Sequence, residues 1–84
     1  MTEPAELKKM YWHSRRGMLE LDLILVPFAE SALPDLQDQQ VEDYRRLLLE
    51  EDQDLFLWLV KKTPIPDTSL QDIVDTVIAH TAQT

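Results

Sequence analysis

The sequence predicts an all-α protein, a compact five-helix bundle in a single small domain spanning residues 1–84. Three observations carry that expectation. Apolar residues recur at spacings of three and four in segment after segment. Only one stretch alternates apolar and polar residues, and no second strand candidate exists to pair with it. The chain has 84 residues, the size of one domain. The core is expected over residues 5–81, with frayed ends.

The first predicted helix covers residues 3–14. Pro4 suits a first helical turn. Leu7, Met10, Tyr11 and Ser14 then share one side. Gly17, the only glycine, fits a helix stop or a sharp redirection. The second segment, "MLELDLILVPFAESAL", is ambiguous. Leu19, Leu21, Leu23 and Leu25 alternate with Glu20, Asp22 and Ile24, as in a strand. Leucine prefers helix, however, and Leu21, Ile24, Leu25 and Phe28 also form a helical stripe, so helix is the better reading. Pro27 is expected to kink this helix or end it early.

The third helix is expected over residues 38–51, capped by Asp38, with Val41, Tyr44, Leu47 and Leu48 on one face. The fourth covers residues 53–62 after a cap at Asp52. Leu55, Phe56, Trp58, Leu59 and Val60 make it apolar on most sides, which suits a central helix. Lys61 and Lys62 complement its C-terminal dipole. "TPIPD" is a rigid turn. In "SLQD", Ser69 is expected to cap the fifth helix, whose stripe is Leu70, Ile73, Val74, Val77, Ile78 and Thr81. Trp12, Tyr44, Phe56 and Trp58 are the predicted core aromatics.

Composition narrows the function. A domain this small buries only roughly 60–65% of its unfolded surface, so a site is expected on a surface patch and not in an enclosed cavity. With no cysteine, disulfides, thiolate metal sites and cysteine nucleophiles are excluded. His13 and His80 lie far apart and show no metal-ligand spacing. The longest apolar run, "LILVPFA", is far short of the roughly 20 residues a membrane span needs. With no signal peptide legible in "MTEPAELKKM", a cytoplasmic protein that is not integral to a membrane is expected. Net charge is −8. Residues 1–18 carry +2, from Lys8, Lys9, Arg15 and Arg16 against Glu3 and Glu6, and the remainder carries −10. That balance disfavours nucleic acid as a partner, since phosphate contacts dominate its binding. The basic end remains a local feature that could matter to a protein partner.

No catalytic set stands out. Ser14, Ser31 and Ser69 lack a distinctive context. The carboxylate pairs Asp52/Asp54 and Glu50/Glu51 read as a helix start and a solvated face. One glycine cannot build a glycine-rich phosphate cradle.

"RRGMLELD", residues 15–22, admits two readings. Gly17 could simply end one helix, with Arg16 and Glu20 forming an exposed pair worth roughly 0.3–0.5 kcal/mol. Alternatively, a fixed turn carrying a guanidinium fork and a carboxylate is a recognition element, with Gly17 allowing close backbone approach. Spacing alone leaves both open.

The stretch "RRGMLELDLILVPF" resembles the RGxxE region of the bacterial flavinylation factors of succinate dehydrogenase, the SdhE family (also called CptB or YgfY), which has a mitochondrial counterpart. The motif residues here are Arg16, Gly17 and Glu20. "RLLLEEDQDLFLWL", residues 46–59, is similar to the family's leucine-rich stretch leading into an Asp-Leu-Phe-x-Trp segment. The likeness covers residues 8–78. Departures are Gln53 where many bacterial members have proline, Leu49 where they have glutamate, and "KKTPIPD" where several have a glycine-containing loop.

The resemblance implies a five-helix assembly factor, itself no enzyme. It would bind the flavoprotein subunit of succinate dehydrogenase, and often that of fumarate reductase. It would assist covalent attachment of FAD to the client while holding no cofactor stably itself. It further implies that Arg16 and Glu20 contact the client, with Gly17 allowing backbone contact. Arg15 and Met18 would extend the patch, and Asp22 would position the arginines or touch the client. A second reading from the same family is an antitoxin opposing a membrane-associated partner that acts on cell-division filaments. The acidic surface is compatible with neutralising a basic partner.

Overall fold

Backbone groups in so short a chain are satisfied most locally by helices, and every regular element is helical in the computed structural model, which describes residues 3–82. The expectation of frayed ends falls on residues 1, 2, 83 and 84, outside the described residues. Five helices appear among the described residues: α1 (Pro4–His13), α2 (Leu19–Ser31), α3 (Asp38–Leu48), α4 (Asp52–Leu55, continuing through a wider π-type turn, Phe56–Val60) and α5 (Gln71–Ala82). Short 3₁₀ turns, Leu33–Asp35 and Thr68–Leu70, precede α3 and α5.

The second segment is helix, as its leucine content argues. Leu21, Leu25 and Phe28 are fully buried and Ala29 nearly so. Pro27 does not end it, and α2 runs on to Ser31. The partner of the missing Pro27 N–H is the carbonyl of Leu23, a residue on the exposed side, 65% accessible, where water can take its place. α2 lies against α1, α5 and the widened part of α4, while α3 closes on α1 and α5.

The caps differ from expectation by one or two residues. Gln37, not Asp38, precedes α3, and its N–H donates to the Gln40 side chain at 3.2 Å. Glu51 takes the N-cap position of α4, which leaves Asp52 in the first turn. Before α5 the acceptor is Asp67. Its Oδ1 receives the Ser69 N–H at 3.0 Å and the Ser69 hydroxyl at 2.6 Å, so Ser69 donates and does not cap. In each case the residue that takes the cap position is the one with extended backbone just before the helical turn.

α3 stops at Leu48, short of the expected residue 51. α4 starts one residue earlier than expected, and its π-type turn ends at Val60, short of the expected residue 62; Lys62 beyond it has a left-handed φ of 59°. There the Thr63 N–H and hydroxyl both donate to the Leu57 carbonyl, at 3.0 and 3.1 Å. The π-type turn places Trp58 and Leu59 inward, beside the buried Leu55 that precedes it, and leaves Leu57 44% exposed.

Tyr44 and Trp58 are core residues as predicted, with Phe28 packed on Tyr44 at a 5.2 Å ring separation. Phe56 is only partly buried. Trp12 is not in the core: it is 57% exposed. Met10 fills the inward position of α1, and a residue two places further on points to the opposite side of a helix with 3.6 residues per turn.

Candidate functional site

The turn between α1 and α2 is built on Ser14, Arg16 and Gly17. Ser14 is fully buried. Its hydroxyl donates to the Met10 carbonyl at 2.8 Å and lies 2.6 Å from the Tyr44 hydroxyl. A serine has one proton, so with Met10 accepting it the phenol donates to Ser14. That chain fixes the end of α1 on α3. Burial pushes the Tyr44 phenol up to about 12, against the opposing pull of the Ser14 hydrogen bond and the Arg16 charge.

Gly17 follows with φ of 83°, the left-handed region. A Cβ there would meet nothing within 4 Å. The glycine is therefore required by backbone conformation and not by space.

Arg16 is held from several directions. Its Nε donates to Asp52 Oδ1 at 2.7 Å, Nη1 to the carbonyls of His13 and Leu48 at 3.0 and 2.9 Å, and Nη2 to the Glu50 carbonyl at 3.0 Å. Its backbone N–H donates to Asp22 Oδ1 at 2.8 Å. The side chain is only 17% exposed. The Arg16–Glu20 pair that one of the two readings allowed does not form. Gly17 breaks the helix between the two residues, so the four-residue spacing does not put them on one face. These contacts also explain the early end of α3, because Arg16 satisfies carbonyls that a further helical turn would have used.

Glu20 is exposed, and no hydrogen bond or ion pair reaches it among the described residues. With Met18 it forms one wall of an open, mostly apolar groove of about 540 Å³, whose other wall is Gln53, Phe56 and Leu57 of α4. Lys61 lies 5.8 Å from the centre of the Phe56 ring. Arg15 points elsewhere. It is exposed, donates to the Tyr11 hydroxyl at 3.0 Å and lies 5.5 and 5.8 Å from the Tyr11 and Trp12 ring centres. The hydrogen bond to Tyr11 raises its already high pKa further.

Of the six predicted site residues, the structure thus leaves Arg15, Met18 and Glu20 at least partly accessible, along with Gly17, and turns Arg16 and Asp22 toward the chain itself. Asp52, Gln53, Phe56 and Leu57 were not singled out as site residues in the sequence. The signal available for them was the "DQDLFLW" segment. His80 lies 2.8 Å from the Ser31 hydroxyl and edge-on to Phe28. No helix among the described residues is long and apolar enough to cross a membrane.

Fold and site together define a small all-helical domain whose distinguishing feature is an apolar surface groove rimmed by a free carboxylate. A family model described as "Flavinator of succinate dehydrogenase" matches residues 8–81. The chain is 49% identical over 78 residues to the "FAD assembly factor SdhE" of Pseudomonas savastanoi pv. phaseolicola, covering 93% of each chain. It is 44% identical over 78 residues to the protein of that name from Pseudomonas aeruginosa, again covering 93% of each. With the Vibrio cholerae protein of that name it shares 38% identity over 77 residues and 90% of each chain. The chain belongs to the family of succinate dehydrogenase flavinators.

Proposed function

We propose that this protein binds the flavoprotein subunit of succinate dehydrogenase and promotes covalent attachment of FAD to it, acting as an assembly factor and not as a catalyst. Fumarate reductase flavoprotein is a related client. The observation that carries this reading, beyond family membership, is Glu20. It is a carboxylate without an internal partner beside the Met18–Phe56–Leu57 groove. An unpaired acceptor next to apolar surface suits a partner segment that offers a hydrogen-bond donor beside an apolar side chain. Arg15, stacked near Tyr11 and Trp12, extends the surface with residue types common at binding hot spots.

FAD is the client's group in this scheme. The factor holds the client so that its acceptor histidine and the flavin ring are aligned, and such positioning lowers a barrier by several kcal/mol without a chemical step on the factor. The site of action is the cytoplasm.

The test is coexpression with the apo flavoprotein, reading covalent flavin fluorescence on a denaturing gel. Glu20→Ala, an exposed change that leaves the fold intact, is expected to abolish most of the signal. Wild-type flavinylation by this variant refutes the assigned docking role.

A further inference from the structure

We infer that Arg16 acts on the client indirectly, as one half of a positioning pair with Asp52 that sets the shape of the groove. The inference rests on the docking reading above and concerns which residues make that surface competent.

The geometry is that of a cross-brace. The guanidinium reaches the end of α1 through the His13 carbonyl, the end of α3 through Leu48 and Glu50, and the first turn of α4 through Asp52. The backbone N–H of the same residue ties the first turn of α2 through Asp22. One residue therefore fixes four chain segments. Met18 is two residues beyond Arg16, and Gln53 is the residue after Asp52. The brace thus ties together the chain beside both walls of the groove, Met18 and Glu20 on one side and Gln53, Phe56 and Leu57 on the other.

With Nε, Nη1 and Nη2 all engaged and 17% of the side chain exposed, little of Arg16 remains to be offered to a client. Lysine cannot replace it. A single ammonium cannot reach four acceptors spread around the plane of a guanidinium.

Releasing the brace is expected to lower the fraction of molecules with a competent groove. Apparent affinity for the client then falls in proportion, while the maximum at saturating factor stays unchanged. This split separates a positioning residue from a contact residue.

The experiment has two arms. The first uses the factor alone and compares backbone amide spectra of wild type, Asp52→Ala and Asp52→Asn. Asp52→Ala is expected to shift amides of residues 16–22 and 48–57 and to leave α5 in place. Asp52→Asn keeps an acceptor for Nε and is expected to restore most wild-type positions. Unchanged amides at residues 18–20 and 53–57 in Asp52→Ala overturn the inference. Should Asp52→Ala not fold, the same comparison is made with Arg16→Lys.

The second arm titrates factor against apo flavoprotein and reads covalent flavin. Asp52→Ala is expected to need about tenfold more factor for half-maximal flavinylation, the loss of roughly one charge-assisted hydrogen bond. Its maximum is expected to match wild type. Arg16→Lys is expected to behave like Asp52→Ala, and the Arg16→Ala/Asp52→Ala double variant like Arg16→Ala alone. If Arg16→Lys works as wild type, or the two alanine effects multiply, Arg16 and Asp52 do not act as a pair on the groove and the inference fails. A fully active Glu20→Ala refutes the docking reading instead, and the amide arm still decides the brace.

Discussion

Replacing Tyr44 by phenylalanine should invert the alkaline behaviour of the protein. Tyr44 is fully buried and its hydroxyl is 2.6 Å from Ser14 Oγ. In the folded chain the phenol is pushed up to about 12 from an ordinary value of 10.0. The folded state therefore keeps a proton that the unfolded chain gives up between those two values. Stability from this group is fully present below pH 10 and falls as pH rises through the folded pKa, tenfold in the folding equilibrium for each pH unit. The total is about 3 kcal/mol. Phenylalanine removes this dependence. It also removes one hydrogen bond, costing about 1 kcal/mol at neutral pH, because Ser14 keeps its own bond to the Met10 carbonyl. The variant should thus be the less stable protein at pH 7 and the more stable one above a crossing near pH ~11. Urea unfolding followed by far-ultraviolet circular dichroism from pH 7 to 12, with tyrosinate absorbance read in parallel, measures both effects. Parallel stability curves with no crossing, or tyrosinate from Tyr44 forming near pH 10 in the folded protein, refute the reasoning.

Three further outcomes follow from the same geometry. Gly17→Ala should lower stability by about 1 kcal/mol in denaturant titration, from backbone strain at φ 83° and not from a clash, since the added methyl meets nothing within 4 Å. Leu21→Ala should cost ~2–5 kcal/mol, because the side chain is fully buried, whereas Trp12→Ala at 57% exposure should cost far less; melting curves of the two variants check the ordering. The Asp67 carboxyl is held below its ordinary value by the Ser69 side-chain and backbone hydrogen bonds. The stability it contributes is present above the ordinary carboxylate pKa and lost as pH falls through the lowered one. Asp67→Asn should therefore flatten the acid limb of unfolding, and carbon-detected titration of the carboxyl should place its midpoint below 3.8.

The elements were legible because their signals are local. Leu70, Ile73, Val74 and Val77 repeat at helical spacing and are all buried as that period requires. Trp12 misled because size and aromaticity argue for burial, while its place on α1, opposite the side that carries Met10, argues against it. The α1 stripe of Leu7, Met10, Tyr11 and Ser14 already excluded it. The site was legible only in part. Glu20 and Met18 lie in a recognisable motif. The partner of Arg16 is 36 residues away, and no local periodicity marks so distant a contact. Asp52 at the start of a helix reads as a cap, and only the folded turn around Gly17 shows that its carboxylate faces a guanidinium. The π-type turn at Phe56–Val60, which exposes Leu57 to the groove, has no signal in an apolar run that is equally suited to an ordinary central helix.

The three motif positions are constrained by three different physical demands. Gly17 answers a backbone demand, a left-handed φ that an L-residue with a Cβ tolerates poorly. Arg16 answers an internal hydrogen-bonding demand, since only a guanidinium serves the acceptors Asp52, His13, Leu48 and Glu50 together. Glu20, in the first turn of α2, suits the helix dipole but answers no internal pairing demand, because no hydrogen bond or ion pair reaches it among the described residues. A short motif of this kind therefore mixes folding and function within five residues. If both proposals hold, loss of activity at Arg16 and at Glu20 would look alike in a single assay, yet the first would arise from a groove that no longer holds its shape and the second from a missing contact. On the proposed docking reading, the carboxylate without an internal partner is the group left for another protein to meet.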